Sequence, residues 1–454
     1  MIMKIKFLGG AGTVTGSKYL LAINNKRILV DCGLFQGVKN LREKNWQAFP
    51  EDIKSIDAIV LTHAHIDHSG YIPALTKAGF KGSIYCSSAT LDLCKVLLPD
   101  SGYLQEEDAR YANYKKFSKH HPALPLYTED DARQSLNSFQ AVNLNEEIQI
   151  TDDIKASFSP VGHILGACSV RIEANGKSIT FSGDVGRQND LVMYPPKPIK
   201  DTDYLVVEST YGDRKHEEID ALSFFEKIIN TTSKRGGIVL IPSFAVGRTQ
   251  INLHIIQQLK DQKRIPNLPV HLNSPMAITA TEIFCKHHEE HKLSDEQCKI
   301  IDQNTHYVRT PEESIELNAS KYPSVIISAS GMASGGRVLH HLKSLIPYHQ
   351  HSIVFIGFQA PGTRGDALVN GANEIKIHGQ YYPVKAEIHH SGSLSAHGDY
   401  SEIISWLKQS NIHPKHVFVT HGERTASDSM RVKLKDTFGW DTCVPDVGEE
   451  IELH

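Results

Sequence analysis

At 454 residues, with 48 Lys and Arg against 52 Asp and Glu, the chain carries a formal charge of −4. That balance excludes a globally basic nucleic-acid binder, so any polyanion has to be drawn into a local cleft. The longest apolar runs, such as 239–241 and 325–327, are far short of a membrane span, and seven scattered cysteines with no CxxC pair argue against a disulfide framework or a thiolate zinc site.

The amino terminus, MIMKIKFLGG, passes straight into a strand pattern without a signal-type apolar core, so a cytoplasmic location is expected. Strands are predicted at 4–8, 18–23 and 27–31, the last two joined by an Asn24-Asn25 turn, so the chain opens on a mainly antiparallel sheet. Asp31 ends the third strand. The apolar run 58–61 predicts a buried strand, and THAHIDHSG, residues 62–70, follows it at once. Helices are expected at 71–77, at 89–98 with Ser87-Ser88 as cap, at 103–117 and at 130–139. Strands return at 154–159, 168–174 and 178–182, the last two linked by Asn175-Gly176. His163 and Asp184 follow strand ends, and Glu208 closes a strand at 204–208.

After Glu208 the pattern changes to helix 221–233, strand 238–241, helix 245–260, strand 270–272, helix 277–288, strand 325–328, helix 336–344 and strand 353–357. This series predicts a parallel sheet with helices on both faces, and a second domain at 212–372. Strands at 374–377 and 384–389, a helix at 401–408 and a strand at 416–420 are assigned to the first domain, which then comprises 1–211 and 373–454.

The chemistry gathers at strand ends. In an extended segment residues two apart face the same way, so His63 and His65 grip one ion from one side, while Asp67 and His68, reached after the turn, face a second. Neutral imidazole and carboxylate are ligands of zinc and other borderline divalent ions. With 25 histidines some clusters arise by chance: His120-His121, His287-His288, His340-His341 and His389-His390 lack a carboxylate at ligand spacing and read as solvated or satisfied side chains. Adding His163, Asp184 and His421 makes seven donors. That number suits two ions ~3.5–4 Å apart sharing an oxygen, with positions left for water and substrate, and does not suit a closed structural zinc.

These residues resemble the metallo-β-lactamase superfamily through Asp31, THAHIDH, His163 and Asp184. Within it they resemble the β-CASP group of nucleases through Glu208 in ESTYG, His397 in SLSAHGDY and His421 in VTHGE. The resemblance implies an α/β fold, an αββα sandwich with an inserted parallel-sheet β-CASP domain. It implies that His63, His65 and His163 hold one Zn2+, that Asp67, His68 and His421 hold the other, that Asp184 bridges both, and that Asp31 orients a ligand histidine. It also implies hydrolysis of RNA phosphodiester bonds to 5′-phosphate and 3′-hydroxyl ends, with His397 as general acid and Glu208 on its other ring nitrogen. Histidine rather than an apolar residue at 421 favours RNA over DNA.

Four stretches, PSFAVGR (242–248), SASGM (328–332), GGR (335–337) and GFQAPGTRG (357–365), resemble those of bacterial and archaeal RNA-processing members. They suit backbone approach to a phosphate with Arg248, Ser330 and Arg337 alongside, and equally suit turns that start helices. Ser395 and Ala396, beside His397, are the stronger phosphate contacts. The expected partner is single-stranded RNA, with no membrane, and homo-oligomerisation is left open. Two alternatives are a hydrolase of small esters or thioesters, which leaves Glu208, His397 and the inserted domain without roles, and an RNA-binding partner of low activity, disfavoured because no ligand is missing. Internal versus 5′-end cleavage and the RNA target are not specified.

Overall fold

Short apolar runs become strands here because their side chains bury on one or both faces of a sheet. In chain order the strands are β1 (Met3–Gly9), β2 (Lys18–Ile23), β3 (Lys26–Val30), β4 (Ala58–Val60), β5 (Ser83–Ser87), β6 (Phe139–Val142), β7 (Glu147–Thr151), β8 (Ile154–Pro160), β9 (Cys168–Ala174), β10 (Lys177–Phe181) and β11 (Tyr204–Glu208). There follow β12 (Val239–Pro242), β13 (Val270–Leu272), β14 (Thr305–Tyr307), β15 (Val325–Ser328), β16 (Ser352–Ile356), β17 (Glu374–Ile377), β18 (Gln380–Pro383) and β19 (Glu387–Ser391), then β20 (His416–Thr420), β21 (Thr442–Cys443) and β22 (Glu450–Glu452). This computed structural model describes residues 3–454 other than 117, 145, 218, 219 and 361.

One compact unit comprises Met1–Asn189, Tyr194–Lys215 and His397–His454. Its two sheets have the strand orders β22-β1-β2-β3-β4-β5-β6 and β21-β20-β11-β10-β9-β8-β7. Phe7, Ile28 and Val60 from one sheet and Phe158, Phe181, Val206 and Phe418 from the other form a single core. The Phe7 and Phe418 rings meet across it at 5.3 Å. The helix Ser88–Lys115 covers β5 and β6, and the helix Arg424–Phe438 covers β20 and β21, which completes the αββα layering. β1 to β3 pair in antiparallel fashion as expected, and so do β9 and β10 across Asn175-Gly176, but in the first sheet β3 to β6 are parallel. The sequence pattern shows that a segment is extended but not which neighbour it takes. The parallel strands β3, β4, β10, β11 and β20 all present their carboxyl ends on one edge, and Asp31, the 62–70 stretch, Asp184, Glu208 and His421 sit there.

Two expected helices, 89–98 and 103–117, are one continuous helix, Ser88–Lys115, with Pro99 inside it. Proline removes one backbone donor, yet the buried side chains of Leu97, Leu98 and Pro99 hold the helix through that position. Phe117 lies outside the described residues. Ser87 is the cap, its Oγ accepting the Thr90 N–H. The helix expected at 130–139 is Glu129–Ser135 followed by a 3-10 turn, Leu136–Ser138, and Phe139 already belongs to β6.

The second unit comprises Asp190–Met193 and His216–Ala396. Its sheet has the order β14-β13-β15-β12-β16-β19 and is parallel throughout. Leu240, Ile326, Leu342, Ile353 and Phe355 fill its core. The strands assigned from sequence to the first domain beyond residue 373 belong here instead: β19 pairs with β16 from Ser352↔Glu387 to Ile356↔Ser391. That pairing moves the return point from about 373 to 397, because a terminal strand is claimed by the sheet edge it can reach.

Candidate metal centre

His63 is held by the residue before it. Asp31, at the end of β3 with φ 57°, accepts the Thr62 N–H at 2.8 Å and its hydroxyl at 2.9 Å. Thr62 Oγ1 lies 3.0 Å from His63 Nδ1, which leaves Nε2 to face inward. The second oxygen of Asp31 is also 2.7 Å from His68 Nδ1, so one buried carboxylate sets the orientation of two elements of the cluster. The turn 66–69 follows His65 and brings Asp67 and His68 round beneath it. Gly33 permits this: a Cβ there would lie 1.6 Å from the Asp67 carbonyl oxygen.

Three ring nitrogens then converge. His65 Nδ1 is 3.1 Å from His63 Nε2 and 3.2 Å from His163 Nε2. Asp184 Oδ2 is 3.4 Å from His63 Nε2 and 3.5 Å from His163 Nε2. On the other side His68 Nε2 is 3.1 Å from His421 Nε2, and Asp67 Oδ2 is 3.4 Å from His421 Nε2. Asp184 Oδ1 reaches toward this second group, 3.2 Å from His68 Nε2. Asp184 therefore lies between the two groups, one oxygen toward each.

Charge and burial fit this arrangement. Burial pushes the imidazole of His63 down to about 3 and that of His65 to about 4, and holds His163 well below its ordinary value, so all three present neutral lone pairs. Burial opposes charge on His68 as well, but the carboxylates of Asp184 and Asp31 outweigh it and raise that group. Among the described residues, His63, His65, His163 and Asp184 form one set of convergent donors and Asp67, His68 and His421 another. Asp184 is 2% exposed, and its Oδ1 faces ring nitrogens of the second group, His68 Nε2 at 3.2 Å and His421 Nδ1 at 3.5 Å, without a well-aligned hydrogen bond among the described residues. Its Oδ2 faces the neutral rings of His63 and His163, and a buried carboxylate oxygen facing imidazole lone pairs is costly unless a cation lies among them. The donor set is therefore a metal-binding one, oxygen and nitrogen only, of the kind that borderline divalent ions take.

Beside it stands a second dyad. His397 Nδ1 is 3.1 Å from Glu208 Oε1, and its Nε2 is 4.0 Å from Asp184 Oδ2. Glu208, 1% exposed at the end of β11, is itself fixed by the Val185 N–H at 2.6 Å and the Thr210 N–H at 3.2 Å. Burial lowers the proton affinity of His397, but the charges of Glu208 and Asp184 outweigh that and hold it above its ordinary value. Sequence reasoning missed Thr62 and Thr210, whose hydroxyls hold His63 Nδ1 and, at 3.1 Å, His421 Nδ1. The available signal was a hydroxyl residue inside each quoted motif, next to His63 in one and two residues after Glu208 in the other.

The five expected phosphate contacts lie in the second unit. Arg337 differs from expectation: its guanidinium donates to Asn273 Oδ1 and the Val308 carbonyl at 2.9 Å and to the Arg309 carbonyl at 2.8 Å, which makes it an internal tie. Ser330 Oγ accepts the Ser334 and Gly335 N–H groups within its own turn. Arg248, 7% exposed, begins the helix Arg248–Asp261 behind Gly247, whose φ of 81° belongs to a helix-start turn. In 357–365, Thr363 caps the helix Arg364–Val369, and Pro361 lies outside the described residues. Ser395, 4% exposed, and Ala396 close the second unit directly before His397.

Comparison with known proteins assigns the lineage. Residues 11–224 match the metallo-beta-lactamase superfamily, 249–368 the Beta-Casp domain and 381–445 the Zn-dependent metallo-hydrolase RNA specificity domain. The chain is 32% identical to Ribonuclease TTHA0252 of Thermus thermophilus over 93% of each protein. It belongs to the β-CASP group of the metallo-β-lactamase superfamily. An RNase J-like protein of Methanocaldococcus jannaschii is 30% identical over 97% of each chain, and Transcription termination factor FttA of Pyrococcus abyssi is 30% identical over all of this chain and 72% of its own length. A crystal structure of a protein of unknown function from Enterococcus faecalis V583 covers all of both chains with a TM-score of 0.57 at 14% identity, which shows a shared fold. The β-CASP match at 249–368 lies inside the parallel-sheet unit, as the change of pattern after Glu208 suggests. No helix among the described residues of this β-CASP protein is long and apolar enough to cross a membrane.

Proposed function

We infer that the chain is a two-zinc ribonuclease that hydrolyses single-stranded RNA to 5′-phosphate and 3′-hydroxyl ends in the cytoplasm. The observation that carries this reading is the His397–Glu208 dyad standing beside Asp184. A metal site alone serves many hydrolytic reactions, whereas a partly exposed histidine held through one ring nitrogen by a buried carboxylate suits protonation of a poor leaving group. The names of the relatives, Ribonuclease TTHA0252 and RNase J-like protein, support the same substrate.

His63, His65 and His163 would hold one zinc and Asp67, His68 and His421 the other, with Asp184 between them. Bound there, the ions would supply positive charge to the phosphate oxygens and would lower the pKa of water so that hydroxide is available near neutral pH. Asp31 holds His68 through Nδ1, so that its Nε2 stays turned inward. Glu208 takes the Nδ1–H of His397 and fixes the ring, leaving the Nε2 proton for the departing 3′-oxygen. The charge of Glu208 then favours return of a proton to the ring after each turnover.

The test is incubation of zinc-loaded protein with end-labelled single-stranded RNA, single-stranded DNA and a generic thioester, with and without chelator. RNA cleavage that stops with chelator and leaves 5′-phosphate ends is expected. Chelator-insensitive RNA cleavage, or thioester turnover without RNA cleavage, overturns the reading. A 5′-blocked RNA in the same assay separates internal from end-directed cleavage.

A further inference from the structure

The helix Ser88–Lys115 begins beside the candidate site and runs on for 28 residues. At its start, Ser87 Oγ and Thr90 Oγ1 donate to the Gly166 carbonyl, three residues after His163, at 2.7 and 2.9 Å. From Thr90 to Tyr114 is 24 residues, which at 1.5 Å each places the far end at most ~36 Å away. There the helix exposes aromatic side chains: Tyr103 is 45% exposed, Tyr111 58% and Tyr114 77%. The composition changes at the same point. Between Glu106-Glu107-Asp108 and Glu129-Asp130-Asp131, residues 109–128 contain Arg110, Lys115, Lys116 and Lys119 and no acidic residue. Arg110 is ion-paired with Glu107, but Lys115 lies over the rings of Tyr114 and Tyr111, 5.1 and 6.0 Å from their centroids. The segment that follows is built back onto the helix: Asn113 Nδ2 donates to the Ala123 carbonyl at 2.9 Å, and the Ala123 N–H donates to Asn113 Oδ1 at 2.7 Å.

Exposed tyrosines interleaved with lysines satisfy the two requirements of a single-strand platform, π faces for bases and cations for phosphates. We propose that the carboxyl-terminal end of this helix, with Tyr111, Tyr114, Lys115, Lys116 and Lys119, is an auxiliary single-stranded RNA platform that holds the strand away from the metal centre. The proposal rests on the ribonuclease reading and adds a length requirement: an RNA must span both places to use the platform.

Metal-loaded full-length protein is titrated with cleavage-resistant phosphorothioate oligouridylates of about 5 and about 20 nucleotides, below and above typical platform site sizes. Binding is read by fluorescence anisotropy. Tyr111→Ala/Tyr114→Ala and, separately, Lys115→Glu/Lys116→Glu/Lys119→Glu each weaken binding of the long RNA by about 10-fold, leave the short RNA within about 2-fold, and the lysine variant lowers the salt slope by about 2. Long-RNA affinity equal to wild type in both variants, equal weakening of the short RNA, or a change of oligomeric state in place of RNA affinity overturns the platform. Ordinary RNA given to wild-type protein is the separate arm: if it is not cut, the ribonuclease reading fails, whereas if it is cut and the variants bind normally, only the platform fails.

Discussion

Glu208 and His397 are 189 residues apart in the chain and meet at 3.1 Å, with the carboxylate held from behind by the Val185 N–H. The imidazole therefore has one nitrogen committed and one directed toward Asp184. Replacing His397 with Ala should lower the cleavage rate by about 10²- to 10⁴-fold while zinc content stays near that of wild type. Loss of metal in that variant, read by elemental analysis, would make His397 a ligand.

The pH profile follows from the same pair. The charges of Glu208 and Asp184 raise His397 above its ordinary value against the pull of burial. A raised value means the protonated form persists above pH 6.5 and is lost as pH climbs through the raised value, so a general acid produces an alkaline limb on the rate. Glu208→Gln removes the charge and should shift that limb to lower pH. A limb that does not move between the two proteins argues against His397 as the acid.

The Asp31 carboxylate meets two residues, Thr62 through its N–H and hydroxyl and His68 through Nδ1. Asp31→Asn keeps a hydrogen-bond acceptor but loses the charge facing His68 Nδ1. Zinc affinity, measured by chelator competition, should fall about 10- to 100-fold. The same variant should retain RNA binding.

Gly33 tests the packing under the turn. A methyl group there falls 1.6 Å from a backbone oxygen, which no side-chain rotation relieves. Gly33→Ala should destabilise the first unit by about 3 kcal/mol and displace Asp67 and His68, so that thermal stability and metal content fall together. Gly37→Ala, where nothing lies within 4 Å, is the control for the loss of a glycine, although its positive φ carries a strain of its own.

The second unit should weaken in acid. Burial pushes His341 down to about 4, and Asn273 Nδ2 lies 2.7 Å from its Nε2, which must stay unprotonated to accept. A base whose folded value is depressed contributes stability that is complete above its unfolded value near 6.5 and is lost as pH falls toward 4, worth on the order of 3 kcal/mol. His271, also pushed to about 4 by burial, adds in the same direction. Hydrogen exchange in β13 and β15, corrected for the pH dependence of the intrinsic rate, should accelerate between pH 6.5 and 4.5.

Much of the site is legible in the residues because its convergent donors sit at strand ends, and strands announce themselves by local apolar runs. His63, His65, Asp67 and His68 are neighbours in sequence, so their convergence is a local matter. The change from hairpins to alternating helix and strand after Glu208 is likewise a local pattern, and it separates the two units at residue 216 within a few positions. The phosphate-contact expectation for Arg337 fared worse. An arginine next to glycines suits an anion or a backbone carbonyl equally, and only the fold shows three internal acceptors around it.

What the sequence by itself determined is the inventory of donors, their strand-end positions and the order of the motifs, all properties carried by residues close together in the chain. The tertiary structure decided that His163 meets His65 across 98 residues and His421 meets His68 across 353. It also decided that one oxygen of Asp184 faces each group, that β19 completes the second sheet, and that a single helix runs through Pro99 to an exposed aromatic end. These depend on strand register and on which surfaces bury one another, and burial between distant segments leaves no local pattern to read.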